Sequence, residues 1–140
     1  KGSFEGSHKF FSWNPHSYTD LYYFLFSNQR FHIKKVFELG IGTNKVFNDA
    51  LKRKSLPGAS LRVWKNFFSK AKIFGADIDP NTLFEEDRIK TFKVDFDKID
   101  AVNKTFKYDL IICYHVIEHL RNPKNFFKNI VNESRSNLIC

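Results

Sequence analysis

The sequence predicts an α/β fold built on a doubly wound, mainly parallel sheet, and three observations carry this prediction. Five short apolar segments alternate along the chain with segments whose apolar residues have helical spacing. The chain has 140 residues, which is enough for one domain with its own hydrophobic core. Hydrophobic residues make up 42% of the chain and charged residues 27%, an ordinary balance for a globular protein.

The predicted strands are short and apolar, and the first three are followed directly by a glycine or an aspartate. They cover residues 36–39, 71–76, 91–94 and 108–113, and a fifth strand begins at Leu138. Because this last strand starts so close to the final residue, we expect the C-terminal strands of the sheet to be missing from this chain.

Four helical segments connect these strands, and each begins at an N-terminal signal. The signals are a capping-box pattern at residues 17–20, Ser60 as an N-cap, Asp79-Pro80 and Asn122-Pro123. The first helix is predicted to run to about Asn28 and the third toward Arg88. Helical spacing predicts the inward-facing side chains to be Leu21, Phe24 and Leu25, then Leu61, Trp64, Phe67 and Phe68, then Phe126, Phe127, Ile130 and Val131. Residues 43–58 are predicted to form a loop, and residues 115–120 a turn or short helix.

We divide the chain into an N-terminal arm with the first helix, residues 1–32, and a sheet domain, residues 33–140. The arm carries aromatic side chains that would suit a lid over a ligand. They are Trp13, Tyr18, Tyr22 and Tyr23. Ordinary packing explains the same residues equally well.

Charge and cysteine usage restrict the class of protein. The net charge is +8, but no run of five basic residues occurs, so nucleic acid is not a favoured partner. The sequence has neither an apolar run long enough for a membrane span nor the apolar core of a signal peptide. Cys113 and Cys140 lack the spacing of a metal site. We therefore interpret both as reduced thiols of a cytoplasmic protein.

Ligands of such sheets bind outside the carboxyl ends of the strands, so the residues after each strand are the candidates for a site. Gly40 and Gly42 form a G-x-G turn, in which glycine permits a sharp turn and a close approach to a ligand. A dinucleotide fingerprint would need a third glycine at position 45, which is Lys45. This pattern argues against an NAD site, and the lack of a G-K-[ST] segment excludes a P-loop.

Asp77 ends the second strand, where a carboxylate can accept hydrogen bonds from both hydroxyls of a ribose. The alternative is that Asp77 caps the following helix. Asp79 already fills that position, which favours a ligand role for Asp77.

Four segments together resemble the motifs of class I methyltransferases that depend on S-adenosylmethionine (SAM). They are VFELGIGTN (36–44), IFGADID (73–79), FKVDFD (92–97) and YDLIICYHVIEHLRNP (108–123). The resemblance covers residues 34–140 and implies a Rossmann-like fold with SAM as cofactor. A finer likeness, from GTN (42–44) and PGASLRVWKNFFSKAKIFGADID (57–79), is to the macrocin-type sugar O-methyltransferases.

The resemblance implies a role for each motif residue at the methionine end of the cofactor. Glu38 would orient the amino group, and Gly40 and Gly42 would let the backbone run along the chain of the ligand. The carbonyl of Cys113 would face the ammonium group. Thr43 follows the G-x-G turn and is included among the contacts.

The remaining implied contacts are to the nucleoside. Asp77 would hold the ribose, with Ile78 beside it. Asp95 would meet the adenine amino group, and the amide of Phe96 would lie near the ring.

The sequence departs from the macrocin-type pattern after the fourth strand. Those enzymes carry paired acids and a histidine there, which hold Mg²⁺ and act as base. Here Cys113 and Tyr114 stand in place of the acids, and only His115 remains. We therefore expect no metal, and HVIEHL (115–120) instead resembles metal-independent small-molecule methyltransferases. Asn44 replaces the third glycine of the first motif, which some members tolerate.

His115 is the candidate catalytic base, because an alcohol acceptor must lose its proton as it is methylated. The alternative is a histidine that only packs at a helix start. His115 and His119 also have the spacing of a zinc pair, but no third ligand is evident nearby. We expect Glu118 and His119 to brace the loop.

The predicted function is transfer of a methyl group from SAM to a small-molecule hydroxyl, on a sugar or sugar phosphate of a surface polysaccharide or natural product. The positive charge would suit an anionic acceptor. The alternatives are an RNA or protein N-methyltransferase and a non-catalytic SAM-binding module. The N-P-P-[YF] motif of N-methyl acceptors is absent from the sequence.

Overall fold

The computed structural model describes residues 19–42, 56–97, 107–113 and 116–139. Its sheet has six strands in the order β3-β4-β2-β1-β5-β6. The strands are β1 (Lys35–Leu39), β2 (Lys72–Asp77), β3 (Glu85–Glu86), β4 (Ile89–Lys93), β5 (Tyr108–Cys113) and β6 (Ser134–Ile139). The helices are α1 (Thr19–Phe26), α2 (Ala59–Phe67) and α3 (Pro123–Glu133), with 3₁₀ turns at Pro80–Thr82 and Ile117–His119.

The sheet is parallel except for β3, which confirms the predicted α/β class. β1 lies in the centre, where Val36 pairs with Ile73 of β2 on one side and with Leu110 of β5 on the other. The chain builds the sheet outward from β1 through β2 and β4, then returns to the other side of β1 with β5. This reversal opens a crevice at the carboxyl ends of the strands.

Each face of the sheet buries its own hydrophobic core, because successive strand residues point to opposite faces. One core lies under α1 and α2 and includes Phe26, Val36, Leu61, Trp64, Phe68, Ile73, Leu110 and Ile112. The other lies under α3 and includes Phe37, Leu39, Ala76, Tyr108, Ile111, Cys113, Val116, Phe126 and Ile130. Both faces are covered, as a parallel sheet requires.

The predicted N-cap of α2 was wrong. Gly58 occupies this position with a φ of 74°, and no side chain caps the helix. Ser60 lies inside the first turn, where its hydroxyl donates a hydrogen bond to Glu38 instead. Inside the helix, Leu61 and Trp64 are buried as predicted.

The predicted inner face of α1 was also wrong. Leu21, Phe24 and Leu25 are 51%, 81% and 41% exposed, whereas Phe26 is buried. The ring of Tyr22 packs edge to face on Trp64 with a centroid distance of 4.9 Å. The last six residues of α1 are all aliphatic or aromatic, so their spacing could not select the face that packs.

The segment after Asp79 forms a 3₁₀ turn and a β-hairpin rather than the predicted helix toward Arg88. Asp79 and Pro80 do begin the 3₁₀ turn as N-cap and first residue. Arg88 has a φ of 58° at the hairpin turn. Its guanidinium donates to the carbonyl oxygens of Lys65 and Ala71, at 3.0 and 2.9 Å, which ties the hairpin to the end of α2.

The second half of the chain matches its predicted strands and helix more closely than the first half does. β5 has the predicted bounds, and α3 buries Phe126 and Ile130 as expected, with Phe127 half-buried. β6 begins at Ser134 rather than Leu138. None of the helices in the described ranges has the length and the apolar character that crossing a bilayer requires.

Gly75 provides a test of how α2 packs on β2. A Cβ atom there would lie 2.7 Å from the Leu61 Cδ1 atom, which is fully buried. Gly75→Val should therefore lower the free energy of unfolding by about 1–3 kcal/mol through overpacking. In a double-mutant cycle with Leu61→Ala, the combined loss should be smaller than the sum of the single losses, because the truncation vacates the space. Additive losses in urea unfolding would contradict this packing.

Candidate active site

A pocket of about 310 Å³ lies at the carboxyl ends of the strands, next to the crevice between β1 and β5. Its lining residues are Gly40, Gly42, Asp77, Ile78, Asp95, Phe96, Asp97, Val116, His119 and Leu120. The first six were predicted as ligand contacts from the sequence. The pocket thus brings together residues from all four motifs, which are far apart along the chain.

The G-x-G turn forms one wall of the pocket. Gly40 and Gly42 both have positive φ angles, 79° and 78°, which L side chains rarely adopt. The Gly40 N–H donates to the carbonyl of Ala76 at 2.8 Å. A Cβ atom on Gly42 would meet no atom within 4 Å, so the backbone angle rather than crowding requires glycine there.

Asp77 is the buried carboxylate of the pocket, with 7% of its surface exposed. Its Oδ2 atom accepts the Gly42 N–H at 2.9 Å, and its Oδ1 atom accepts the Asp79 N–H at 3.0 Å. Asp79 in turn accepts the N–H of Asn81 and caps the 3₁₀ turn. Since a carboxylate oxygen can accept more than one hydrogen bond, Asp77 retains capacity for a ligand.

The turn after β4 contributes Asp95, Phe96 and Asp97 to the pocket. The Asp97 N–H donates to the Asp95 carboxylate at 3.2 Å. The Asp97 carboxylate accepts the backbone N–H of Arg121 at 2.8 Å, which links this turn to the segment after β5. Asp97 was not among the predicted contacts, although its position two residues after Asp95 was a usable signal.

Glu38 does not line the pocket but lies behind it, with 6% of its surface exposed. Its Oε1 atom accepts the Ser60 hydroxyl and its Oε2 atom accepts the Trp64 indole N–H, both at 2.6 Å. Burial raises the pKa of this carboxyl group from 4.5 to about 7, and the two hydrogen bonds oppose that rise.

The segment after β5 supplies three lining residues that the sequence analysis had not selected. They are Val116, His119 and Leu120. His119 was predicted only to brace the loop. Leu120 follows His119 directly in the chain, and residue type alone does not predict which of two neighbouring side chains faces a ligand.

Among the remaining predicted residues, Cys113 is described and does not line the pocket. The Cys113 side chain is 2% exposed and packs in the core under α3, without a disulfide. Thr43, Tyr114 and His115 lie outside the described residues. Within the described ranges, no three His, Cys, Asp or Glu side chains are grouped so as to hold a metal ion.

A family model described as a methyltransferase domain matches residues 57–134, more than half of the chain. The chain belongs to this methyltransferase family. Its relatives and its fold place it among the class I enzymes that use SAM, with a likeness to the macrocin type. The predicted family is therefore confirmed.

The curated relatives of this methyltransferase domain include sugar O-methyltransferases. Demethylmacrocin O-methyltransferase of Streptomyces fradiae is 30% identical over 112 residues, which cover 76% of this chain and 27% of the relative. Mycinamicin VI 2''-O-methyltransferase of Micromonospora griseorubida is 29% identical over 76% of this chain and 26% of its own length. A tetracenomycin rhamnosyl 3'-O-methyltransferase of Streptomyces olivaceus is 35% identical over 56% of this chain and 18% of its own.

A solved structure of a methyltransferase also resembles this chain. The MycE methyltransferase of the mycinamycin biosynthetic pathway, in complex with Mg and S-adenosylhomocysteine (SAH), matches with a TM-score of 0.65 and 26% identity. The match covers 92% of this chain and 35% of the MycE chain. The methyltransferase domain therefore spans about a third of this neighbour and roughly a quarter or less of the curated relatives.

The buried carboxyl group of Glu38 should make stability depend on pH. Its pKa is about 7 in the folded chain against an ordinary 4.5, so the charged form is disfavoured by folding. Its contribution to stability is fully present below pH 4.5 and is lost as the pH rises to about 7. We expect that loss to be about 3 kcal/mol.

The comparison variant is Glu38→Gln, which does not titrate. Its amide can accept the Trp64 N–H and donate to the Ser60 hydroxyl, so both contacts survive. Urea unfolding of both proteins between pH 4 and pH 8 measures the difference. Parallel stability curves would show that Glu38 does not titrate in this range.

Proposed function

We propose that this chain is the cofactor-binding part of a SAM-dependent methyltransferase that acts on a hydroxyl group of a small-molecule sugar. The observation that supports it best is the pocket itself, which combines the G-x-G turn with Asp77 and Asp95. Two glycines with positive φ and two acidic residues suit a ligand with a polar chain and a nucleoside.

In the proposed arrangement, each part of SAM contacts different lining residues. The methionine part lies along Gly40 and Gly42, where no side chain intervenes. Asp77 accepts hydrogen bonds from the ribose hydroxyls with the capacity that its two backbone donors leave. Ile78, which is 57% exposed, offers an apolar surface beside the base, and Asp95 accepts the adenine amino group. Glu38, Thr43, Phe96 and the Cys113 carbonyl complete the proposed set.

The nature of the acceptor is inferred from the relatives. The names of the curated relatives describe O-methyltransferases, and two of them name a rhamnosyl group of tetracenomycin C. When bound, SAM supplies a methyl group already activated by its sulfonium. The chain itself must then align the acceptor and remove its proton, for which His115 is the proposed base.

We propose that the transfer needs no metal. Cys113 ends β5 where the macrocin-type pattern has an acid, and a thiol is a poor ligand for a hard cation such as Mg²⁺. The thiol is also buried in the core under α3 rather than turned toward the pocket.

The division of the chain into residues 1–32 and 33–140 remains part of the proposed function, as does the lid. Of its aromatic residues, Tyr22 and Tyr23 pack on rings of α2, and the other two lie outside the described residues.

Asp77→Ala tests the cofactor site. It removes a charged acceptor from the proposed ribose contact, and hydrogen bonds to a charged group contribute about 1.5–3 kcal/mol each. SAH affinity measured by calorimetry should fall at least about tenfold, while NAD should not bind to either protein. Asp87→Ala is the control, because Asp87 is a carboxylate with 80% of its side chain exposed and does not line the pocket. Unchanged SAH affinity in Asp77→Ala would move the ribose contact elsewhere, with Asp79 the first residue to examine.

His115→Ala tests the reaction type. A positioned base contributes about 10²–10⁴-fold, so turnover of a sugar acceptor should fall by roughly that factor while SAH affinity is unchanged. The wild-type rate should also fall below about pH 6.5, where a histidine gains its proton. His119→Ala is the paired variant and should lose less activity. Full turnover in His115→Ala would favour an acceptor that needs no base, such as an amine.

A further inference from the structure

The carboxylate of Glu38 is held by two donors from a single helix. Ser60 and Trp64 lie four residues apart on α2, so their side chains project from the same face. Each donates to a different oxygen of Glu38 at 2.6 Å. The carboxylate is therefore fixed in both its position and the plane of its oxygens.

Several features of the fold serve to place these donors. Gly58 is the N-cap of α2, and its positive φ sets the direction in which the chain enters the first turn. The missing side chain of Gly75 lets Leu61 approach β2 closely. The Trp64 ring is 6% exposed and is packed against Tyr22 and Phe68, so its N–H has a fixed direction.

The surroundings of Glu38 are otherwise neutral. At its register the flanking strands carry Gly75 and Ile112. α2 contributes two neutral donors, and α1 contributes Tyr22, whose ring packs on Trp64. β2 brings a second acidic residue, Asp77, to the strand ends. No cation among the described residues pairs with Glu38.

We propose that Ser60 and Trp64 are positioning residues of the cofactor site, which hold the Glu38 carboxylate behind the pocket, where its negative charge favours binding of the ligand's ammonium group. This inference rests on the proposed function, because it requires a ligand with an amino acid part next to the G-x-G turn. Glu38 lies two residues before Gly40, the first lining residue of that turn. Ser60 and Trp64 belong to the segment 57–79 that carries the macrocin-type likeness, and both thereby acquire a physical role.

The pH dependence of binding separates positioning from a purely structural role. The pKa of Glu38 is about 7, so a ligand ammonium group should bind more tightly as the pH rises and the carboxylate ionises. Both hydrogen bonds lower this pKa. Removing either donor should raise it further, which moves the midpoint of the binding profile to higher pH.

The experiment is calorimetric titration of this chain with SAH between pH 5.5 and pH 8.5. The variants are Ser60→Ala and Trp64→Phe, which remove one donor each and keep most of the packing. Ser60→Thr restores a hydroxyl, and Val63→Ala is the control on the exposed face of α2. Methylthioadenosine, which lacks the amino acid part of SAH, is the second probe.

In the wild type and the two control variants, SAH affinity should rise with a midpoint near the Glu38 pKa of about 7. In Ser60→Ala and Trp64→Phe the midpoint should move up by about one pH unit, so that affinity falls about fivefold at pH 7 and about tenfold at the acidic end of the range. Methylthioadenosine should bind all five proteins equally, with no such dependence.

Two results would overturn the inference, and they are distinguishable. A loss of SAH affinity that is uniform over the pH range, shared by methylthioadenosine, would give Ser60 and Trp64 a structural role only. Failure of the wild type to bind either probe at any pH would overturn the proposed function, and the inference with it.

Discussion

The parallel pairing of β1 with both of its neighbours is the constraint on which the site depends. Parallel strands bring their carboxyl ends to one edge, so the residues that follow β1, β2, β4 and β5 meet there. The chain extends the sheet first on the β2 side and then on the β5 side, which leaves a crevice between the two connections. Residues from four distant segments line one pocket for this reason.

Within that edge, one hydrogen bond connects the two halves of the proposed cofactor site. The Gly42 N–H reaches the carboxylate of Asp77, which also receives the Asp79 N–H from its own turn. The backbone after β1 and the acid that ends β2 are thus fixed relative to one another. Gly42 contributes a backbone with a positive φ to this hydrogen bond, and Asp77 contributes a buried carboxylate.

The errors of the sequence interpretation have a common physical origin. Ser60 has the side chain of an N-cap, whose oxygen would accept a backbone N–H of the helix. It lies inside the first turn instead, and its hydroxyl donates to the buried carboxyl group of Glu38 on β1. The helix proposed after Asp79 is replaced by a hairpin, whose turn Arg88 secures to carbonyl groups at the end of α2. In both places a partner distant in the sequence decided a local structure.

The sequence by itself determined the order of the four motifs along the chain, the glycines of the first turn and the acids at the strand ends. Each of these depends on residues that are adjacent in the chain. It also sufficed to assign the cap to Asp79, and the prediction of a ligand role for Asp77 follows from that assignment. The tertiary structure alone decided which face of α1 packs, that Glu38 receives both donors of α2, and that Asp97 and His119 reach the pocket. Those outcomes depend on how separate elements pack against one another. The type and spacing of side chains along the chain do not specify the distances between such elements.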